Sequence, residues 1–165
     1  MSVERRTGAI AFGANLGDRE RNLKGALARL EKTPGLVVLR RSPWRPSAPQ
    51  GGPPDQPEYL NGVAFVETVL GAHELLDVLL AIEEHFGRNR AQEVRFGPRL
   101  LDLDLLFLGD LAFDDERLQL PHPRMEERRF VLQPLAELCP DYVLPSGRTP
   151  AAALEALAQS PAQQE

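Results

Sequence analysis

What the chain lacks narrows its class before any motif is read. Its 165 residues hold one cysteine, Cys139, so no internal disulfide can form and a reducing cytoplasm is the expected setting. Cys139 itself reads as a small buried or half-buried hydrophobe. No run of 18 apolar residues exists, which excludes a membrane-spanning helix. The apolar stretch Ala9-Ile10-Ala11-Phe12 breaks at Gly13 and Asn15 and is not the core of a signal peptide. There is no excess of positive charge: 19 Lys and Arg stand against 24 Asp and Glu, and the net −5 argues against a general nucleic-acid binder. No glycine is followed by Lys-Ser or Lys-Thr, and neither G-x-G-x-x-G, G-x-S-x-G nor a zinc-ligand spacing occurs. What is present is ordinary for a folded protein, with 42% apolar and 26% charged residues. A chain of this length buries roughly 70% of its unfolded surface without a metal or disulfide staple, and one domain over 1–165 is expected.

Periodicity gives the elements. Residues 8–13 read as a short apolar strand. The turn Gly13-Ala14-Asn15-Leu16-Gly17-Asp18 is a strand-to-helix corner ending in a cap, because the Asp18 carboxylate accepts from the free N–H groups of a first helical turn. The helix runs to about Lys32 with Leu23, Leu27 and Leu30 on one face, and Pro34-Gly35 ends it. Residues 36–39 are a second strand. Over 45–57, Pro46, Pro49, Pro53, Pro54 and Pro57 interleave with Gly51 and Gly52, a composition that cannot be helix and makes a poor strand. A loop this long in a compact domain is either a passive connection or functional. Residues 59–69 alternate as a strand. A second helix spans about 73–86 with Leu75, Leu79, Ile82 and Phe86 as its stripe, and Gly87 stops it. Residues 88–99 lack a period, 100–108 form a strand, and short strands fit 112–113 and 118–120. Residues 125–138 look helical, with Pro134 forcing a late start or a bend. From Pro150 an Ala-rich tail forms one weak helix, and 160–165 frays. The order β-α-β-β-α-β predicts an α+β fold, a ferredoxin-like layered sandwich with a mainly antiparallel sheet and helices on its faces.

The sharpest chemical feature is Asp102-Leu103-Asp104 inside an apolar strand. Side chains two apart on a strand face the same way, about 6.5 Å apart along the backbone. Two like charges so placed repel and resist burial. A divalent cation between them removes both costs, and hard oxygen ligands in small number suit Mg²⁺, which completes its shell with water and phosphate. The plainer alternative is the solvated polar face of a half-exposed strand. Nearby, Arg88, Arg90, Arg95 and Arg99 are opposed only by Glu93, a local excess of three positive charges in an acidic chain. Arginine forks capture phosphate oxygens, although the same cluster also reads as a salt-bridge network. Beside the aspartate pair, it matches what Mg²⁺ with a nucleotide triphosphate requires. His73 and His85 read as surface residues. His122, between Pro121 and Pro123, sits in a rigid extended segment and taken alone is a loop residue.

These stretches resemble a known family, the bacterial 6-hydroxymethyl-7,8-dihydropterin pyrophosphokinases of folate biosynthesis. The resemblance rests on the 13–18 turn, Pro49 through Gly52, Asp55-Gln56-Pro57-Glu58-Tyr59-Leu60-Asn61, Ile82-Glu83 and Gly87-Arg88-Asn89-Arg90. It continues with Phe96-Gly97-Pro98-Arg99-Leu100-Leu101-Asp102-Leu103-Asp104, Leu120-Pro121-His122-Pro123-Arg124-Met125, Arg129-Phe130-Val131-Leu132 and Pro134-Leu135, in the family's order over about 8–147. The resemblance implies a reaction: the hydroxymethyl oxygen of the pterin attacks the β-phosphorus of ATP, pyrophosphate moves as a unit and AMP leaves. It implies ATP as co-substrate and two Mg²⁺ ions between Asp102, Asp104 and the triphosphate. It implies that Arg88 and Arg99 hold the β- and γ-phosphates, that Glu83, Arg90, His122 and Arg128 contact the nucleotide, and that Pro49, Tyr59, Asn61, Phe96 and Phe130 bind the pterin. Tyr59 and Phe130 would stack on the flat ring, and Asn61 offers its edge a donor and an acceptor.

The chain departs from the family in places. Phe96 stands where Trp is usual, Ala48 where Thr is usual, and an early basic position of the arginine loop falls at Ala91 or its neighbours, in a loop about one residue longer. The two irregular loops are expected to close over both substrates and exclude water. A free-standing cytoplasmic monomer is expected, with no nucleic-acid or membrane partner. The rival enzyme reading is another Mg-dependent nucleotide-using transferase of nucleotidyltransferase type. A non-catalytic ferredoxin-like binding module would need no paired aspartates.

Overall fold

The structure, a computed structural model, describes residues 4–49, 52, 54–87 and 99–160. Strand β1 (Arg6–Ala14) leads through α1 (Arg19–Glu31) to β2 (Leu36–Arg41), β3 (Arg45–Ser47) and β4 (Tyr59–Thr68). Helix α2 (Ala72–His85), β5 (Asp102–Leu108), a hairpin of β6 (Phe113–Asp114) and β7 (Gln119–Leu120), a 3-10 turn (Met125–Glu127), α3 (Arg129–Leu138) and α4 (Pro150–Ala158) complete it. The main sheet runs β2-β4-β1-β5 with every neighbouring pair antiparallel. Because β1 and β2 are both antiparallel to the β4 between them, they are parallel to each other, linked by α1 as a split β-α-β unit. The ferredoxin-like layering expected from element order is the layering found.

Local chemistry explains the boundaries. Asp18 Oδ1 accepts from Arg21 N at 3.1 Å and starts α1 one residue later, as its cap position predicts. Leu23, Ala26, Leu27 and Leu30 are buried beneath α1, and Leu75, Leu79 and Ile82 beneath α2. Gly25 lets the helices close: a Cβ there would stand 2.6 Å from the Phe86 ring. The two helices pack on one sheet face with Ile10, Phe12, Ala64, Val66, Leu103 and Leu105. On the opposite face α3 covers Ala9, Val63, Leu106 and Phe107 with Val131, Leu135 and Leu138, and α4 backs α3 through Ala153 and Leu157 against Leu132.

One expectation is corrected. The segment 45–57 is not loop throughout, because Arg45, Pro46 and Ser47 pair with Asn61, Leu60 and Tyr59. Pro46 is tolerated because β3 is an edge strand and needs no inward N–H at that position. Strands β2 and β3 follow each other along the same edge of β4, and Ser42 bridges the break. Its N–H donates to Val63 O at 2.9 Å and its Oγ accepts from Val63 N at 2.9 Å, so the ladder is satisfied beside Pro43. Past this break Trp44 packs on the helix-covered side, its ring close enough that a Cβ on Gly62 would meet it at 2.5 Å, and its centroid is 5.7 Å from that of Phe12. At 125–138 the late start is the alternative found, with a 3-10 turn followed by α3 from Arg129. Pro134 stays inside α3, where it cannot donate to the carbonyl four residues earlier, that of Phe130. Among the described residues no helix is long and apolar enough to cross a membrane.

Candidate active site

Helix α3 covers only part of its sheet face. Beyond Leu106 and Val63, the pair Asp104–Ala11 and the next row, Asp102–Gly13–Asn61, run out toward the cleft. Period-two alternation sends Asp102 and Asp104 to this face while Leu103 and Leu105 go to the helix-packed core, both only 4% exposed. The central strand offers Ala11 and Gly13 between the carboxylates on β5 and the polar end of β4, so the floor is low. A Cβ on Gly13 would stand 3.1 Å from Asn61 Oδ1 and 3.5 Å from Tyr59 Cδ1, so both side chains lean over the glycine. The resulting cleft of about 280 Å³ is lined on its floor by Ala11, Gly13, Asp102 and Asp104 and on its walls by Ser47, Tyr59, Asn61, Arg99, His122, Arg128 and Phe130.

Each wall residue is held by an identifiable element. Asn61, 7% exposed, donates through Nδ2 to Ser47 Oγ on the paired strand β3. That bond fixes which end of the amide leans over Gly13, leaving Oδ1 as the acceptor on that side. Arg99 is pinned through its backbone: its N–H donates to Asn15 Oδ1 at 2.7 Å, and its carbonyl accepts from Asn15 N at 3.0 Å and Leu16 N at 3.1 Å. The Arg128 guanidinium carbon lies 5.7 Å from the centroid of the Phe130 ring, over its face. His122 N donates to Leu106 O at 2.7 Å, and His122 Nδ1 accepts from Arg124 N at 3.1 Å. Burial first, then the Arg128 and Arg124 charges, push the His122 pKa from its ordinary 6.5 down to about 4, against an opposing pull from Asp102. At neutral pH the ring is therefore uncharged, with its proton on Nε2 and ready to donate.

Eight of the residues singled out in the sequence line this one cleft: Tyr59, Asn61, Arg99, Asp102, Asp104, His122, Arg128 and Phe130. Pro49 is half-buried but off the lining, and its neighbours Ser47 and Ala48 take that wall. Arg88, Arg90 and Phe96 lie outside the described residues. Glu83 is not in the cleft lining of the described residues; it is buried at 1% exposure, where its Oε2 accepts from Leu103 N at 2.8 Å. It stands one helical turn after Leu79, on the packed face of α2, and the strand N–H binds one of its carboxylate oxygens. It braces the strand that carries the aspartates. Sequence reading passed over Ser47 and Asn15. For Asn15 the available signal was an amide inside an otherwise apolar corner.

The donor set suits a hard cation. Asp102 and Asp104 supply carboxylate oxygens on one face, and among the described residues no group of three or more His, Cys, Asp or Glu gathers as a closed metal site. Two protein carboxylates with room beside them fit Mg²⁺, which shares its remaining positions with water and phosphate, rather than zinc. Guanidinium groups for phosphate, an amide edge and two aromatic rings for a flat heterocycle share one basin with those acids. Cys139 lies elsewhere, half-buried, with its thiol pushed up to about 11 by burial and so inert.

Comparison with known proteins agrees with this inventory. Residues 9–140 match the family described as 7,8-dihydro-6-hydroxymethylpterin-pyrophosphokinase (HPPK). The 2-amino-4-hydroxy-6-hydroxymethyldihydropteridine pyrophosphokinase of Synechocystis sp. is 48% identical over 141 residues, covering 85% of this chain and 70% of that protein. The protein of the same name from Pseudomonas aeruginosa is 45% identical over 139 residues, covering 84% of each. A solved structure of an HPPK-DHPS in complex with substrates superposes with a TM-score of 0.71 at 11% identity, over 94% of this chain and 44% of that one. The Plasmodium falciparum HPPK-DHPS with pteroate gives a TM-score of 0.71 at 13% identity. This chain spans less than half the length of those solved chains, and at such identity the likeness is one of fold. The sequence match over most of the chain is what settles the matter: the protein belongs to the 7,8-dihydro-6-hydroxymethylpterin-pyrophosphokinase family.

Proposed function

We infer that the protein is an ATP-dependent pyrophosphokinase of folate biosynthesis that moves the terminal diphosphate of ATP onto the hydroxymethyl group of 6-hydroxymethyl-7,8-dihydropterin. The observation that carries this reading is the meeting, in one cleft, of an aspartate pair with two guanidinium groups and an amide-and-aromatic slot. Family membership supports the same reaction. A bond forms between the hydroxymethyl oxygen and the β-phosphorus, the bond from that phosphorus to the α,β-bridging oxygen breaks, AMP departs with that oxygen, and the hydroxyl proton goes to solvent.

The residues divide the work. Tyr59 and Phe130 clamp the pterin ring, and Asn61, held by Ser47, reads its edge. This places the hydroxymethyl group toward Asp102 and Asp104, where positioning replaces the entropy of a bimolecular encounter. We assign two Mg²⁺ ions to that pair, and when bound they supply positive charge to the triphosphate oxygens. Arg99 and Arg128 steady the charge that builds as the diphosphate transfers, with Arg88 and Arg90 assigned to the same task from sequence. His122 donates Nε2–H to the nucleotide without adding a charge. Pro49 and Phe96 are assigned to the pterin side. We assign the reaction to a single catalytic domain acting as a monomer, and the lone thiol suits the cytoplasm.

Mass spectrometry of the products from ATP, Mg²⁺ and the pterin alcohol tests this. AMP with the pterin diphosphate is the expected pair. Inorganic pyrophosphate with a pterin–AMP adduct would indicate nucleotidyl transfer instead, and ADP with a pterin monophosphate an ordinary kinase.

A further inference from the structure

Asn15 lies outside the cleft lining, yet it is bonded to both halves of the site. It is 2% exposed at the corner between β1 and α1. On one side its Oδ1 accepts from Arg99 N at 2.7 Å, while the N–H groups of Asn15 and Leu16 both donate to Arg99 O. On the other its Nδ2 donates to Pro57 O at 3.1 Å, with Gln56 Oε1 at 3.4 Å. Pro57 lies two residues before Tyr59 and four before Asn61. The same loop is tied a second time, because Arg19 Nη1 donates to Glu58 O at 2.7 Å. A buried amide that spends its donor on the acceptor-side loop and its acceptor on the phosphate-side arginine joins two segments more than forty residues apart in sequence.

We propose that Asn15 is a positioning residue that sets the distance between the pterin slot and the phosphate-holding Arg99, coupling occupancy of one to occupancy of the other. The inference rests on the pyrophosphokinase reading above. Backbone tethers fix where Arg99 leaves the corner, and the Pro57 tether fixes where the Tyr59–Asn61 segment leaves its loop. With both attached to one planar side chain, neither shifts without the other. In-line transfer depends on this spacing, since a misplacement of about 1 Å costs on the order of a hundredfold in rate. The Arg19 contact reaches the loop alone, so it supports the pterin arm without the link.

The test compares Asn15→Ala, Asn15→Asp and Arg19→Ala with the intact protein. Steady-state kinetics are run with both substrates, and calorimetric titration follows the pterin alcohol with and without a non-hydrolysable ATP analogue. In Asn15→Ala kcat is expected to fall by about ten- to a hundredfold, while each substrate still binds alone and the analogue no longer strengthens pterin binding. Asn15→Asp keeps the acceptor for Arg99 N and loses the donor for Pro57 O. Its KM for ATP stays at the wild-type value and its KM for the pterin rises. Arg19→Ala raises the pterin KM with kcat intact. Should Asn15→Ala fail to fold, the split is read from the other two variants. Wild-type kcat and wild-type coupling in folded Asn15→Ala, or in Asn15→Asp when the alanine variant does not fold, overturn the proposal. A wild-type protein that releases no AMP overturns the functional reading and leaves the role of Asn15 without a reaction to serve.

Discussion

Strand β1 presents Ile10 and Phe12 to one side of the sheet and Ala9, Ala11 and Gly13 to the other. The first pair is sealed beneath α1 and α2, at 0% and 2% exposure. Of the second set Ala9 is fully buried in the α3-covered cluster, while Ala11, partly buried against that cluster, and Gly13 line the cleft. Neighbouring residues of a single strand thus serve opposite ends. Large side chains on one face fill space and hold the sheet together, while small ones on the other leave room that charged and aromatic neighbours then line. The sheet can carry a binding basin on half of one face because its opposite face is packed along its length.

The division can be broken at several points, and the expected effects descend in size. Asp102→Ala removes half of the cation-holding pair. It should lower kcat by about a thousandfold or more, about 4 kcal/mol of barrier, with little change in melting temperature. A variant that kept its rate would make the acid pair decorative. Ile10→Ala, on the sealed face, should cost about 2–5 kcal/mol of stability by leaving a cavity, read from the denaturant midpoint, with both KM values of the folded enzyme unchanged. Gly13→Val, three residues along on the open face, should overfill the floor against Asn61 and Tyr59. About 1–3 kcal/mol of crowding would appear as a rise of about ten- to a hundredfold in the pterin KM rather than as unfolding. If Ile10→Ala and Gly13→Val had the same profile, the two faces would not be distinct in function.

The smallest effect concerns pH. His122 is held near 4 when folded and returns to about 6.5 when unfolded. The unfolded chain therefore binds more protons between those values, and stability falls as pH is lowered through that window. His122→Gln should flatten that part of the curve of melting temperature against pH, while leaving the slope above pH 7 as it was.

Much of this was legible in the sequence, for reasons that are local. The aspartate pair was visible because a period of two fixes the side chains of Asp102 and Asp104 to one face whatever the strand packs against. The Asp18 cap and the Leu23, Leu27, Leu30 stripe were visible because both lie within a few residues of the helix they define. What escaped depended on distant partners. Strand β3 exists because β4 offers a free edge to Arg45 and Ser47, and its proline with the prolines and glycines that follow masked that. The bond that Glu83 accepts from the N–H of Leu103, twenty residues on, could not be read from the helix that carries it. Asn15 gives no hint in its own segment of the two loops it joins. Arg88, Arg90 and Phe96 lie in 88–98, outside the described residues, and their proposed roles rest on the sequence resemblance.

Trp44 is the chain's single tryptophan, and it lies against Gly62, itself part of the cleft lining. The protein thereby carries a native fluorophore one residue layer behind its binding floor. Its emission can report substrate arrival in real time on unlabelled enzyme, with no other indole in the molecule to blur the signal.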